Sequence, residues 1–327
     1  MTSTPKARPR AIFWTIVLAL LLLTPSLWLF GEERGAVSGR WLLDFEQDGS
    51  IHLTLKRRSD GRGHWNSWNN SSDYELSDFR GLQRPSGTSD APSRFEMVRD
   101  AGTIAFEGRL DEAGGGGKFT HTPSPEYVAA LRKMGYEPPS DSEDLFSLTV
   151  HDVSRAFIAD LQVLGYKRVP LDDLVGMRIH GASSEFIREL KSLGYSGLST
   201  DELVSMRIHG TTPAYIRQMK SLGYDALSAD DLVSMRIHGA TPEFVEDLRK
   251  LGYRDLSADD LVSMRIHGVT PEYIQDLQEL GYRDVSADDL VSMRIHGVTI
   301  DYVRKMKARL KTVSVDELVS MRIHGRG

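Results

Sequence analysis

The residues best suited to chemistry in this chain are histidines, and they recur at a nearly fixed interval. Eight of the ten fall at His121, His151, His180, His209, His238, His267, His296 and His324, with gaps of 30, 29, 29, 29, 29, 29 and 28 residues; His52 and His64 lie outside the series. Six of the eight are preceded two positions earlier by an arginine: Arg178, Arg207, Arg236, Arg265, Arg294 and Arg322. Three chemistries are open to such a series. Imidazoles bind metals through nitrogens ~2.0–2.1 Å from the ion. They exchange protons near neutral pH. They also cap helix ends, where they meet unpaired carbonyls and the negative end of the dipole.

Spacing chooses among the three. Equivalent side chains on stacked helices stand ~8–10 Å apart, too far to share one ion. No unit supplies a second His, a Cys, or a Glu four residues beyond its histidine. Acid–base catalysis needs a partner group and one distinct pocket, which a residue copied along a rod does not have. The twelve arginines and histidines from Arg178 to His324 are therefore expected to be structural. No catalytic residue, cofactor, or metal is expected, and the chain is expected not to be an enzyme.

The elements that position them are legible in residues 228–256, SADDLVSMRIHGATPEFVEDLRKLGYRDL. Ser228 predicts an N-cap, with Asp231 completing a capping box. Leu232, Val233, Met235 and Ile237 form the expected apolar face, and Gly239 is the left-handed stop after the helix. A second helix opens with Thr241 and Pro242, a cap followed by a proline at the first turn. Phe244, Val245, Leu248 and Leu251 make its stripe. Gly252 ends it, with Tyr253 packing back over the last turn. Helices this short are marginal alone in water, so the copies must stack, as in a solenoid.

Seven such pairs are expected over residues 122–327. The arginine before each histidine is expected to pair with an acid of the next unit, such as the carboxylates that open the following helix. Early copies depart from the pattern, with Asp152 in place of the stop glycine and Arg155 in place of the leading proline, and in the sixth copy Ile300 stands at the proline position. The run Arg304, Lys305, Lys307, Arg309 and Lys311 reads as a solvated face or end cap.

Ahead of the repeats, residues 39–121 read as a small antiparallel β module, with alternating apolar runs such as Trp41, Leu43, Phe45 and Ile51, Leu53, Leu55, separated by Asp48-Gly49 and Gly114–Gly117. HWNSWNNSSD at 64–73 reads as a polar loop carrying two tryptophans. Residues 11–30 are apolar and uncharged, ~30 Å long as a helix, enough for a bilayer core. The basic tail at 1–10 places the N-terminus in the cytoplasm, and 31–38 is a linker. The alternative is a cleaved signal peptide and a secreted protein, with Ala36-Val37-Ser38 as the cleavage region. The fold class is thus α+β and multidomain. The chain has no cysteine, so an exported domain here relies on its core instead of disulfides. A net charge of −6 argues against a nucleic-acid surface.

RDAGTIAFEG, KFTHTPSPEYVAALRKMGY and the MRIHGVTPEYI repeats, behind a membrane anchor, resemble the extracytoplasmic repeat regions found in or beside bacterial membrane metallopeptidases of the beta-lactam-sensor type. The likeness covers most of residues 40–327. It implies an inner-membrane protein with its bulk in the periplasm. No HExxH motif occurs in this chain, so the resemblance carries no peptidase activity to it. The expected function is a membrane-anchored scaffold that binds a protein partner through its repeats. The alternative is a sensor or regulatory subunit whose β module reads a ligand; an envelope hydrolase has no motif behind it. A partner would read the positions that vary between copies: Glu185, Ala214, Glu243, Glu272 and Asp301, and Arg188, Arg217, Glu246, Gln275 and Arg304.

Overall fold

The computed structural model describes residues 37–58, 67–87 and 90–325. The expected cytoplasmic tail and membrane helix, with most of the linker, lie outside the described residues. Among the described residues, no helix is long and apolar enough to cross a membrane.

The β module begins two residues before its expected start. Its strands are β1 (Val37–Phe45), β2 (Ile51–Arg58), β3 (Ser67–Tyr74), β4 (Phe79–Arg80), β5 (Ala91–Arg99), β6 (Gly102–Leu110) and β7 (Gly114–Pro123). They form one antiparallel sheet in the order β3-β2-β1-β7-β6-β5-β4, curled into a half-barrel. Alternation places Trp41, Leu43, Ile51, Leu53, Leu55 and Phe106 inside, each at most 1 % exposed. Phe95 stacks on Phe106 with centroids 4.7 Å apart, and Trp41 meets Phe95 edge-on at 5.2 Å. The buried Trp41 indole donates to the Lys118 carbonyl at 3.0 Å, which satisfies its one polar atom.

The expected loop at 64–73 is largely a strand. β3 pairs with β2 from Arg58↔Ser67 to Ile51↔Tyr74. Its sequence lacks alternation because it sits at the sheet edge and is held by polar cross-strand pairs. Thr54 and Ser71 hydroxyls lie 2.9 Å apart, and His52 Nδ1 is 2.6 Å from Asp73 Oδ1.

Fourteen helices follow among the described residues, as seven pairs. They are α1 (Pro125–Lys133) and α2 (Ser142–Val150); α3 (Arg155–Val163) and α4 (Leu171–Ile179); α5 (Ser184–Ser192) and α6 (Thr200–Ile208); α7 (Pro213–Ser221) and α8 (Ala229–Ile237); α9 (Pro242–Lys250) and α10 (Ala258–Ile266); α11 (Pro271–Glu279) and α12 (Ala287–Ile295); α13 (Ile300–Leu310) and α14 (Val315–Ile323).

The local code works as the residue types require. Ser228 accepts from the Asp231 N–H while the Asp231 carboxylate takes the Ser228 N–H at 3.0 Å. Thr241 caps α9 with Pro242 in its first turn. After α8, Gly239 adopts φ +72°, and Ala240 N–H reaches back to the Met235 carbonyl at 2.8 Å. That bond, with Gly239 N–H to Arg236 O, closes the helix end in a Schellman motif. Gly252 and Tyr253 do the same for α9.

The substantial helix–helix contacts join corresponding helices of neighbouring units: odd-numbered with odd, even-numbered with even. The core is therefore one continuous strip, with Leu232, Met235, Val245 and Leu248 at most 2 % exposed in a middle unit. Ile237 departs from its expected place in that face. It is 53 % exposed, because the buried arc of the helix is filled by Leu232 and Met235.

Candidate functional site: the joints and faces of the repeat array

The recurring arginine does not reach an acid of the next unit. It reaches back to the preceding one. Arg207 of α6 donates from Nε to the His180 carbonyl at the end of α4, at 3.3 Å, and its guanidinium lies 5.1 Å from the Phe186 ring of the intervening α5. Arg265 repeats this with His238 O at 3.4 Å and Phe244 at 4.9 Å, and Arg322 with Gly297 O at 3.1 Å and Tyr302 at 5.1 Å. Arg236 and Arg294 keep the ring contact, each at 5.0 Å, on Tyr215 and Tyr273. A carbonyl left open at a helix end attracts a cation, and the aromatic face adds a cation–π contact. The stop glycines also make room: a Cβ on Gly239 would lie 3.1 Å from Arg265 Nη2.

The odd-numbered helices are closed in the same sense. Lys191 donates to Leu164 O at 2.7 Å, Gln278 to Leu251 O at 2.8 Å, and Arg249 and Lys307 to Leu222 O and Leu280 O. Tyrosines bond forward. Tyr195, Tyr224, Tyr253 and Tyr282 donate to carbonyls of the following unit, Leu227, Leu256, Val285 and Val313, at 2.7–2.9 Å. Tyr253 thus does not simply fold back over its own helix. Burial pushes the Tyr215 and Tyr273 phenols up to about 12.

The histidines occupy the cap residue of each even-numbered helix from α2 onward. From His180 to His324 they are exposed. At His324 the ring Nδ1 lies 2.7 Å from the Ser320 carbonyl, one turn back. His121 is not part of this series. It lies on β7, 1 % exposed, and its Nε2 is 2.9 Å from the Thr149 hydroxyl of α2. Its 30-residue offset from His151 is a coincidence of counting. Burial, then the nearby Arg57 guanidinium, lowers its pKa to about 4. His151, half-buried and beside Arg178, is lowered for the same two reasons.

The early departures from the sequence pattern, Asp152 and Arg155, lie beside the β module. Asp152 takes the left-handed conformation itself, φ +51°, and its carboxylate holds Arg178 at 3.0 Å. Arg155, in place of proline, chelates Asp100 of the sheet, with Nη2 to Oδ1 at 2.8 Å and its own N–H to Oδ2 at 2.9 Å. On α2, Phe146 stacks on Phe119 of β7 at 5.4 Å, Val150 is 4 % exposed, and Glu143 pairs with Arg57 of β2 at 2.9 Å.

Of the positions that vary between copies, one set is used inside the array. Arg188, Arg217 and Arg304 pair with Asp160, Glu189 and Asp276 of the preceding unit at 2.7, 2.9 and 3.6 Å. The other set, Glu185, Ala214, Glu243, Glu272 and Asp301, is exposed in each copy. Compared with known proteins, the chain matches no family model and no curated sequence.

Proposed function

We propose that this protein is a membrane-anchored, extracytoplasmic scaffold that binds a protein partner along its repeat array. Residues 11–30 tether it to the bacterial inner membrane, and the β module and array stand in the periplasm. The observation that carries the reading is the exposed position represented by Glu243. It faces solvent in each unit while its identity changes from Glu to Ala to Asp along the row. An exposed row whose residue changes at some steps, Ala214 and Asp301 among glutamates, gives a partner a way to find one register on a repeating rod. The resemblance to repeat regions of beta-lactam-sensor-type peptidases supports the same placement beside the membrane.

The test is photo-crosslinking of the intact protein in its membranes, with the reactive residue at Glu243 or Glu272. A discrete adduct with one protein is expected at both positions. Failure of both to give an adduct above the level of an unrelated membrane protein overturns the proposal. A periplasm-dependent reporter enzyme fused at the C-terminus should be active; activity from a cytoplasmic reporter alone reverses the topology.

A further inference from the structure

A second surface of the array, on the even-numbered helices, has a different character. Ile179, Ile208, Ile237, Ile266, Ile295 and Ile323 are each 53–55 % exposed. Each is the last residue of its helix and stands beside an exposed histidine. One and two turns earlier on the same face come a half-buried valine and an exposed acid, the latter Asp172, Asp201, Asp230, Asp259, Asp288 or Asp316. This face is the same in six copies, Asp, Val, Ile and His, while the odd-numbered helices of those copies have diverged. Copying alone does not explain that contrast, since both helices of a pair are copied together. Nor does packing, since the isoleucine is mostly in water.

The first unit shows what such a face binds. Glu143, Phe146 and Val150 of α2 are the counterparts of Asp230, Val233 and Ile237, 87 residues earlier. There the face is covered by strands of the β module. Arg57 pairs with Glu143 and lies 5.8 Å from the Phe146 ring, Phe119 stacks on that ring, and Val150 is buried. The covering chemistry is therefore extended backbone presenting an arginine to the acid and an apolar side chain to the Phe146–Val150 pair. The uncovered faces continue that interface along the array, with an acid and an apolar pair at the same positions, Asp for Glu143 and Val–Ile for Phe146–Val150.

We propose that the even-numbered face of α4 to α14 is a docking groove for an extended basic peptide with an apolar residue at every third position. The period follows from geometry. Packed helices are ~8–10 Å apart, and three residues of polyproline-II chain, one full turn, advance ~9 Å. One apolar side chain then meets one isoleucine per unit, and the arginines or lysines between them meet the aspartate row. The exposed face has no aromatic side chain of the kind that stacks on sugars. Its corresponding helices also approach more closely than the odd-numbered ones.

The probe is a fluorescein-labelled peptide of two, four or six Leu-Arg-Pro triplets, added to the purified full-length protein and followed by anisotropy at physiological salt. Affinity should rise at least about tenfold from two triplets to six, because each added triplet binds at high effective concentration. A peptide of the same composition with its leucines in one block should bind at least about tenfold more weakly. Ile237→Asp with Ile266→Asp should cost a similar factor. Glu243→Lys with Glu272→Lys, on the partner-reading surface of the odd-numbered helices, should change it less than about twofold. Equal binding of the two peptides, or binding that ignores the isoleucine changes, overturns the proposal. So does a protein that dimerises through this face, seen as a mass that halves in the isoleucine variant. Loss of the crosslinks at Glu243 and Glu272 would count against the scaffold reading and leave this one standing.

Discussion

Val150 and Ile237 occupy the same place in their helices, yet Val150 is 4 % exposed and Ile237 is 53 % exposed. Around the first, Phe119, Arg57 and His121 of the sheet close over α2. Around the second there is solvent on the same arc. The difference lies in what the array meets, since the helix geometry is common to both. At the first unit that arc carries the larger Phe146 in place of a valine, and the β module covers it. Its presence also explains the local departures: Arg155, Asp152 and Thr149 stand where the internal units carry proline, glycine and arginine, and each contacts the sheet or its neighbours.

The sharpest way to test this contrast is to cut back both sites. Phe146→Ala should destabilise the full chain by about 3–5 kcal/mol, the usual range for a buried phenylalanine. Val233→Ala, at the equivalent position, should cost about 1 kcal/mol. Denaturant midpoints compare them; equal costs would mean that the sheet does not cap the array.

The second effect is acid sensitivity at the joint. His121 is lowered to about 4 in the folded protein, against about 6.5 when unfolded. Folding thus favours the neutral ring. The stability it contributes is present above about pH 6.5 and is lost as the pH falls toward 4, up to about 3 kcal/mol. His121→Asn should flatten that part of the pH profile in thermal melts, whereas His238→Gln should not. A profile unchanged by His121→Asn would remove His121 as a source of acid sensitivity.

A smaller contrast concerns the stop residue. Gly239→Ala should cost about 1–2 kcal/mol, because an alanine at φ +72° is strained and its methyl crowds Arg265. Asp152→Gly relieves such strain but gives up the Arg178 pair, so its net change should stay within about 1 kcal/mol. The smallest effect is expected at the array histidines: His238→Gln should alter the melting midpoint by no more than about 0.5 kcal/mol in free-energy terms. A zinc-dependent rise in melting temperature that vanishes in this variant would show instead that the histidine is a ligand.

Much of the array was legible because its instructions are local. Ser228, Asp231, Gly239, Thr241 and Pro242 act on their own helix ends, and sequence spacing reports that directly. The target of Arg265 was not legible, since a backbone carbonyl left open at a helix end is present in every residue type and marks no sequence. Ile237 was misplaced for a related reason: periodicity shows which residues share an arc, but not how wide the covered arc is. His121 entered the series through a 30-residue interval that a strand produced by chance. β3 escaped because an edge strand held by Thr54–Ser71 and His52–Asp73 needs no apolar alternation.

The capping contacts also have a direction in time. Lys191 and Arg207 each reach back 27 residues, to Leu164 and His180, and Gln278 does so to Leu251. A unit that has just left the ribosome therefore holds two open helix ends until the next unit has followed it. Each unit's open helix ends are closed by its successor, while its tyrosine reaches forward to a carbonyl of that successor. The array consequently assembles one unit behind its own synthesis, and the segment vulnerable to a protease or a wrong partner at any moment is one unit long, whatever the length of the rod.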